Sequence, residues 1–294
     1  MKQAVLLLAH GAPERLEDVE SYLSYVRSGR PGNPKVLEEV RHRYAAIGGS
    51  SPLLAWTRAQ AEALEKLLGI PVFFGMRNWH PFIRETMERV CEAGVERMAG
   101  ICLAPQFSEL SIGLYIRRTE EARREAGVAA EVRWAKSFHA EPRLIAAFAE
   151  RLRPLVDGGT AGKMLFTAHS LPEKALANGD PYAGECRATA AAVAAAVGLG
   201  GYDFAFQSQG MTEDRWLGPT VESCLDRYAA EGVREVVLDP IGFVCDHVEI
   251  LFDIDRLFGE YAAARGITLR RPESLNDSAT FTAALAEVAQ GCLA

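Results

Sequence analysis

Short apolar runs rich in Val, Leu, Ile and Phe alternate along the chain with longer stretches in which apolar side chains return every three or four positions. The first pattern fits a strand buried on both faces and the second an amphipathic helix. Their alternation predicts βα units on parallel sheets. Strands are predicted at 4–9, 72–75, 98–103, 131–134, 163–168, 203–207, 235–238 and 268–270. Helices are predicted at 16–26, 34–46, 57–68, 81–93, 115–125, 141–155, 184–196, 220–230, 249–264 and 278–290. The opening run at 4–9 is too short for the apolar core of a signal peptide and reads as a first strand. The alanine tract at 188–196 suits a buried helix, and no apolar segment reaches the roughly 18–20 residues of a membrane span. The expectation is a cytoplasmic protein without an integral membrane span.

Three segments recur in the same order. L-L-A-H-G-A-P (7–13) returns as F-T-A-H-S-L-P (166–172), a strand that ends in Ala-His and turns at Pro. F-F-G-M-R-N-W-H-P (73–81) has an echo in Q-G-M-T-E-D-R-W-L-G-P (209–219), and L-A-P-Q-F (103–107) in L-D-P-I-G-F (238–243). These echoes predict two similarly folded halves that face each other. Open parallel sheets bind ligands beyond the carboxyl ends of their strands. The cleft is therefore expected among the segments that follow strands, near His10, Arg77, His80, Phe107, His169, Trp216 and His247.

Length and composition agree with that picture: 294 residues fit two domains of ordinary size, and 49% apolar with 24% charged residues is a globular balance. Asp and Glu number 39 against 32 Lys and Arg, a formal net charge of −7. Phosphate binding needs a basic face, so nucleic acid is not expected as the main partner. The six cysteines form no C-x-x-C pair, which argues against a structural zinc site or a disulfide framework and for reduced packing thiols.

Familiar phosphate and hydrolase motifs are missing: G-x-G-x-x-G after the first strand, G-x-x-x-x-G-K-[ST], G-x-S-x-G and H-E-x-x-H. What is left is a set of histidines and carboxylates at predicted strand ends. The densest stretch is F-V-C-D-H-V-E-I-L-F-D-I-D (243–255). If Glu249 opens a helix, Glu249 and Asp253 stand at i and i+4 on one face. Such a pair can hand along a cation or a proton, or it can simply offset a helix dipole. His169, at the end of an apolar strand, can take a proton near pH 7, bind a metal, or hold its turn. His10 has the same three readings. Tyr44, Tyr115, Trp79 and Trp216 are candidate flat walls, and Arg27, Arg30 and Arg43 candidate carboxylate holders.

Taken together the chain resembles the ferrochelatase family along nearly its whole length. The matching segments are E-D-V-E-S-Y-L (17–23), R-Y-A-A-I-G-G-S-S-P-L (43–53), G-M-R-N-W-H-P-F-I (75–83), L-A-P-Q-F-S (103–108), A-H-S-L-P (168–172), Q-G-M-T-E-D-R-W-L-G-P (209–219) and G-F-V-C-D-H-V-E-I-L-F-D-I-D (242–255), in order. The resemblance implies an α/β fold of two similar Rossmann-like domains, each a parallel sheet flanked by helices, with a porphyrin cleft between them. The halves are expected at 1–140 and 141–294, the last helix packing back on the first. The implied activity is that of a metal chelatase of the lyase class, placing ferrous iron in a porphyrin for haem biosynthesis. The family's His of A-H-S-L-P and Glu of D-H-x-E, which face each other across the macrocycle, fall on His169 and Glu249. Asp253 continues the acidic row. His169 is then the first iron contact with a share in proton removal, and Glu249 and Asp253 are a proton or metal path.

Within the family the chain looks most like the compact branch that uses coproporphyrin III and makes coprohaem. By the same resemblance, propionate and ring contacts fall on Arg27, Arg43, Tyr44, Ser51 and Tyr115. Where that branch has a tyrosine after the first strand this chain has His10, implied as axial ligand of product haem iron. No tightly bound cofactor and no iron–sulfur cluster are expected; Fe²⁺ and porphyrin enter as substrates. The expected protein is a monomer in transient contact with neighbouring haem-pathway enzymes. Alternatives are a protoporphyrin IX ferrochelatase making protohaem, a chelatase for another tetrapyrrole, and a non-catalytic haem carrier.

Overall fold

A computed structural model describes residues 1–30, 32–156, 162–174, 179–210 and 214–294. Residues 211–213, within the second echo, lie outside the described residues. Strands β1 (Gln3–Ala9), β2 (Val72–Met76), β3 (Arg97–Cys102) and β4 (Glu131–Ala135) form one parallel sheet in the order β2-β1-β3-β4. Strands β5 (Lys163–His169), β6 (Asp203–Gln207), β7 (Glu235–Asp239) and β8 (Thr268–Arg270) form a second, ordered β6-β5-β7-β8. The second order is the first with each strand replaced by its counterpart four places on, so the echoes are a repeated topology. The turns repeat as well. Met76 N–H donates to Pro81 O at 2.7 Å after β2, and Phe206 N–H to Pro219 O at 2.8 Å after β6. Both prolines follow cis peptide bonds.

The central strands are apolar because both faces are covered; in β1, Ala4, Val5, Leu6, Leu7 and Leu8 are each 0% exposed. The helices of the first half are α1 (Val19–Val26), α2 (Pro34–Ala46), α3 (Leu53–Leu68), α4 (Ile83–Glu92) and α5 (Ile112–Glu125), and α6 (Pro142–Val156) leads to the second. There follow α7 (Tyr182–Ala196), α8 (Val221–Ala230), a π-helix (Glu249–Phe258) running into α9 (Gly259–Ala263), and α10 (Ala279–Leu293). Start signals are local: Asn33 accepts from Lys35 N ahead of Pro34, and Thr220 and Ser278 cap α8 and α10. One buried cluster runs from β1 and β3 through α3, α6 and α10 to α7, β5 and β6, so the two sheets share a core. Helix α10 lies on β3, β4 and α3. Its Phe281 and Leu285 are fully buried, each contributing about 1.5–3 kcal/mol to that docking.

Two predicted helices come out differently. The stretch 16–26 begins as a 3-10 turn (Leu16–Asp18) before α1. The expected α-helix at 249–264 is wound as a π-helix over Glu249–Phe258, a form that in natural proteins gathers at functional sites. Apolar spacing does not distinguish the two windings. In either, residues four apart lie about one turn along the same side.

Candidate active site

Beyond the carboxyl ends of both sheets lies a cavity of about 290 Å³, where open parallel sheets place their ligands. His10 leaves β1, Arg77 leaves β2, His169 ends β5, and the loop after β7 brings in His247 and Glu249. Tyr44, Ser51 and Tyr115 line the cavity as the sequence reading expects, joined by Tyr22 and Tyr182. His80, Phe107 and Trp216 do not line it. The turn before cis-Pro81 carries His80 outward, onto Glu85 at 2.9 Å and the Phe82 ring. The Phe107 N–H is drawn to Glu185, and Trp216 packs on Gly210 and bridges Pro172.

At the centre, His169 Nδ1 donates to the Ser170 carbonyl and His247 Nδ1 to the Cys245 carbonyl at 2.9 Å. A carbonyl only accepts, so each ring carries a proton on Nδ1 and leaves Nε2 to the cavity. Both Nε2 atoms lie near one carboxylate oxygen: Glu249 Oε2 is 3.7 Å from His169 Nε2 and 3.9 Å from His247 Nε2. That oxygen is buried without a hydrogen-bond partner. A buried carboxylate oxygen in that position is satisfied by a proton or a cation. Two metal–ligand bonds of about 2.1 Å end to end span about 4.2 Å, so one ion can touch Glu249 and an imidazole together.

The surrounding chain fixes this pair. Tyr182 donates to the His169 carbonyl at 2.9 Å. Gln207, held by Thr167 at 2.6 Å, donates to the Glu249 carbonyl at 3.3 Å and anchors the π-helix to the second sheet. Gly242 lets the loop after β7 pass directly behind His169: a Cβ there would fall 2.7 Å from the Ala168 Cβ. Asp253, 2% exposed, accepts from Ser208 Oγ at 2.6 Å and Arg43 Nη1 at 3.1 Å. Burial, then the Glu249 charge, pushes its carboxyl up to about 6 against the pull of Ser208 and Arg43.

His10 is kept neutral, its pKa lowered to about 4 by burial and then by Arg77. Its Nδ1 lies 3.2 Å from both the Gly11 carbonyl and the Tyr22 hydroxyl, and Asn78 Nδ2 donates to Nε2 at 3.1 Å. Arg77 lies over the Tyr115 ring at 4.6 Å, and burial pushes that phenol up to about 12.

Two expected propionate contacts are not presented to the cavity. Arg27 sits on the turn after α1, where Ser28 and Gly29 take positive φ, and packs on Gly32 outside the lining. Arg43 is already engaged by Asp253 and by Glu39 at 3.0 Å. His247, placed near the cleft by its sequence position but given no chemistry there, shares the Glu249 oxygen. The H-x-E spacing was the signal for it. Tyr182, Gln207 and Ser208 belong to no spacing that points to them.

Comparison with known proteins bears on what this site does. The ferrochelatase family model matches residues 2–292. A ferrochelatase from Acidobacterium capsulatum is 46% identical over 312 residues, covering 99% of this chain and 95% of that protein. A coproporphyrin III ferrochelatase from Oceanobacillus iheyensis is 33% identical over 300 residues, covering 98% and 96%. The sirohydrochlorin chelatase SirB from Bacillus subtilis subspecies spizizenii, solved in complex with cobalt, has a TM-score of 0.59 at 11% identity, covering 99% of this chain and 95% of that one. It therefore shares the fold. With the family model spanning nearly every residue and relatives of that name at such identity, the chain belongs to the ferrochelatase family.

Proposed function

We propose that this ferrochelatase inserts Fe²⁺ into coproporphyrin III, releasing the two pyrrole protons and forming iron coproporphyrin III. The observation behind the mechanism is the buried Glu249 Oε2 without a partner, near the Nε2 atoms of His169 and His247. His169 is the first iron contact and takes a share of the proton removal. Glu249, with Asp253 about one turn behind it, is the acidic path, and His247 lies beside the same Glu249 oxygen. A wall of Tyr44, Tyr115 and neighbouring apolar groups that holds the saddled ring better than the flat one exposes the pyrrole nitrogens and lowers the barrier.

Coproporphyrin III has four propionates where protoporphyrin IX has two. The name of the Oceanobacillus iheyensis relative supports the former. An anaerobic insertion assay with coproporphyrin III, protoporphyrin IX and sirohydrochlorin side by side is the test. One further charge-assisted contact is worth about tenfold in kcat/KM in favour of coproporphyrin III. Equal or better specificity for protoporphyrin IX reverses the substrate assignment, and turnover of sirohydrochlorin alone reverses the class of ring.

His10 is assigned as axial ligand of product iron. With its proton on Nδ1 it offers Nε2, exchanging the Asn78 hydrogen bond for the metal. His10→Ala is expected to loosen product haem and to remove the iron–histidine stretch from the resonance Raman spectrum of the ferrous complex. Insertion should fall less than in His169→Ala. A stretch unchanged in the variant rules His10 out as the ligand.

We place the protein in the cytoplasm, acting as a monomer. All six cysteines are free, and no helix among the described residues is long and apolar enough to cross a membrane.

A further inference from the structure

The loop that delivers His247 and Glu249 is tied down at one point. Asp246 N–H donates to Asn276 Oδ1 at 2.9 Å, and Asn276 Nδ2 donates to Asp246 Oδ2 at 3.0 Å. The Asn276 N–H donates to the Val244 carbonyl at 3.0 Å, so one residue holds three backbone and side-chain groups of 244–246. The other carboxylate oxygen, Asp246 Oδ1, accepts from Ser274 Oγ at 2.7 Å and faces Arg271 Nη2 at 3.3 Å. Arg271 in turn forks onto Asp255 at 2.6 and 2.8 Å, in the middle of the π-helix. Asn276 is also where the first half reaches in: Gln60 of α3 donates to its carbonyl at 2.8 Å, and three residues later α10 begins its run across the first sheet. Its φ of +47° lies in the left-handed region that Asn tolerates better than most residues.

We infer that Asp246 and Asn276 are positioning residues for iron insertion. Asp246 stands beside His247 and three residues before Glu249, and in composition it looks like one more member of the acidic path. Its carboxylate is spent differently. Oδ2 is taken by the Asn276 amide, Oδ1 by Ser274 and Arg271, and the side chain is only 20% exposed. The device fixes both ends of the catalytic segment, the loop through Asn276 and the π-helix through Arg271. It thereby sets the gap between Glu249 and the His169 ring against a frame that includes the first half.

The inference rests on the ferrochelatase reading of the site, and the test separates the two. The variants are D246N, N276D and the double exchange D246N/N276D, assayed for iron insertion and, independently, for porphyrin fluorescence quenching. N276D sets two carboxylates against each other; D246N sets two amides face to face and removes the charge beside Arg271. Each single variant is expected to lower kcat about 10–100-fold, as loss of an outer-shell partner does, with porphyrin KM and quenching little changed. In the double exchange the amide sits at 246 and the carboxylate at 276. Every hydrogen bond then has a donor and an acceptor again, and kcat is expected to return to within about threefold of wild type, a coupling of the kind double-mutant cycles read. A carboxylate at 246 that moved protons could not be replaced in this way, so a double variant as slow as D246N overturns the proposal. If N276D does not fold, as judged by its melting, Ser274→Ala is read in its place. That change removes one donor to the same carboxylate, and a several-fold fall in kcat at constant KM supports the clamp, whereas unchanged kcat overturns it. Wild-type protein that inserts no iron into any porphyrin overturns the ferrochelatase reading itself.

Discussion

His169→Ala is expected to bind porphyrin nearly as well as wild type and to insert iron about a thousandfold more slowly, the middle of the range for losing a positioned proton acceptor. Two features of the structure set these expectations apart. The cavity walls include Tyr44, Tyr115, Leu103 and Val244, all of which remain in His169→Ala. The ring donates to the Ser170 carbonyl and meets the Phe243 ring edge-on, and its strand is held by the Tyr182 hydroxyl on the His169 carbonyl, so truncation is expected to leave β5 and its turn in place. What disappears is the Nε2 atom 3.7 Å from Glu249. Fluorescence quenching and haem formation measured on one preparation separate the two effects. Imidazole added to the variant should restore part of the rate if the missing atom is the cause. Near-wild-type turnover in His169→Ala would remove it from the centre of the mechanism.

The central strands were readable because each is a nearly continuous apolar run covered on both sheet faces, as β1 and β5 are, whereas the edge strands β4 and β8 are mixed and partly exposed. The duplication was readable because a strand end, a cis-proline turn and a proline-bearing loop recur in one order. Position after a strand proved a weaker guide to the site. It placed His10, His169 and His247 correctly at the cavity, yet His80 occupies an equivalent place and is turned out to Glu85 by the bend before Pro81. Side-chain direction within a turn depends on backbone angles that no spacing records. The π-winding was hidden for a related reason, since Glu249 and Asp253 share a side in either helix. Arg43 shows the limit of carrying roles over residue by residue. A guanidinium that can hold a propionate is here paired with a carboxylate buried 210 positions away in sequence. Removing one partner of such a pair leaves the other charge poorly compensated, at about 3–5 kcal/mol for a fully buried case and less here because the Arg43 side chain is 28% exposed. An Arg43 variant therefore perturbs Asp253 as well as any propionate.

Glu249→Gln is expected to reduce kcat about a hundredfold, and Asp253→Asn by less. The two carboxylates differ in what already satisfies them. Glu249 Oε2 has no hydrogen-bond partner and lies near two imidazole nitrogens, whereas Asp253 is held by Ser208 and Arg43. The unsatisfied group nearer the cavity has more to give to an incoming ion or a departing proton. The pH dependence makes a sharper test than the rates. Burial and the Glu249 charge hold the Asp253 carboxyl at about 6, so as an acceptor it is available above that pH and lost as pH falls through it. In Glu249→Gln one of the two raising influences is gone, Ser208 and Arg43 still pull downward, and Asp253 ionises more easily. The acid limb of the residual activity should therefore move to lower pH in Glu249→Gln and lose its Asp253 component in Asp253→Asn. Rates at saturating porphyrin across pH 5 to 8, with iron concentration varied at each pH, measure both. An acid limb that stays put in both variants means that Asp253 takes no part in proton transfer, and wild-type rates in both would reduce the acidic pair to helix-terminal charge.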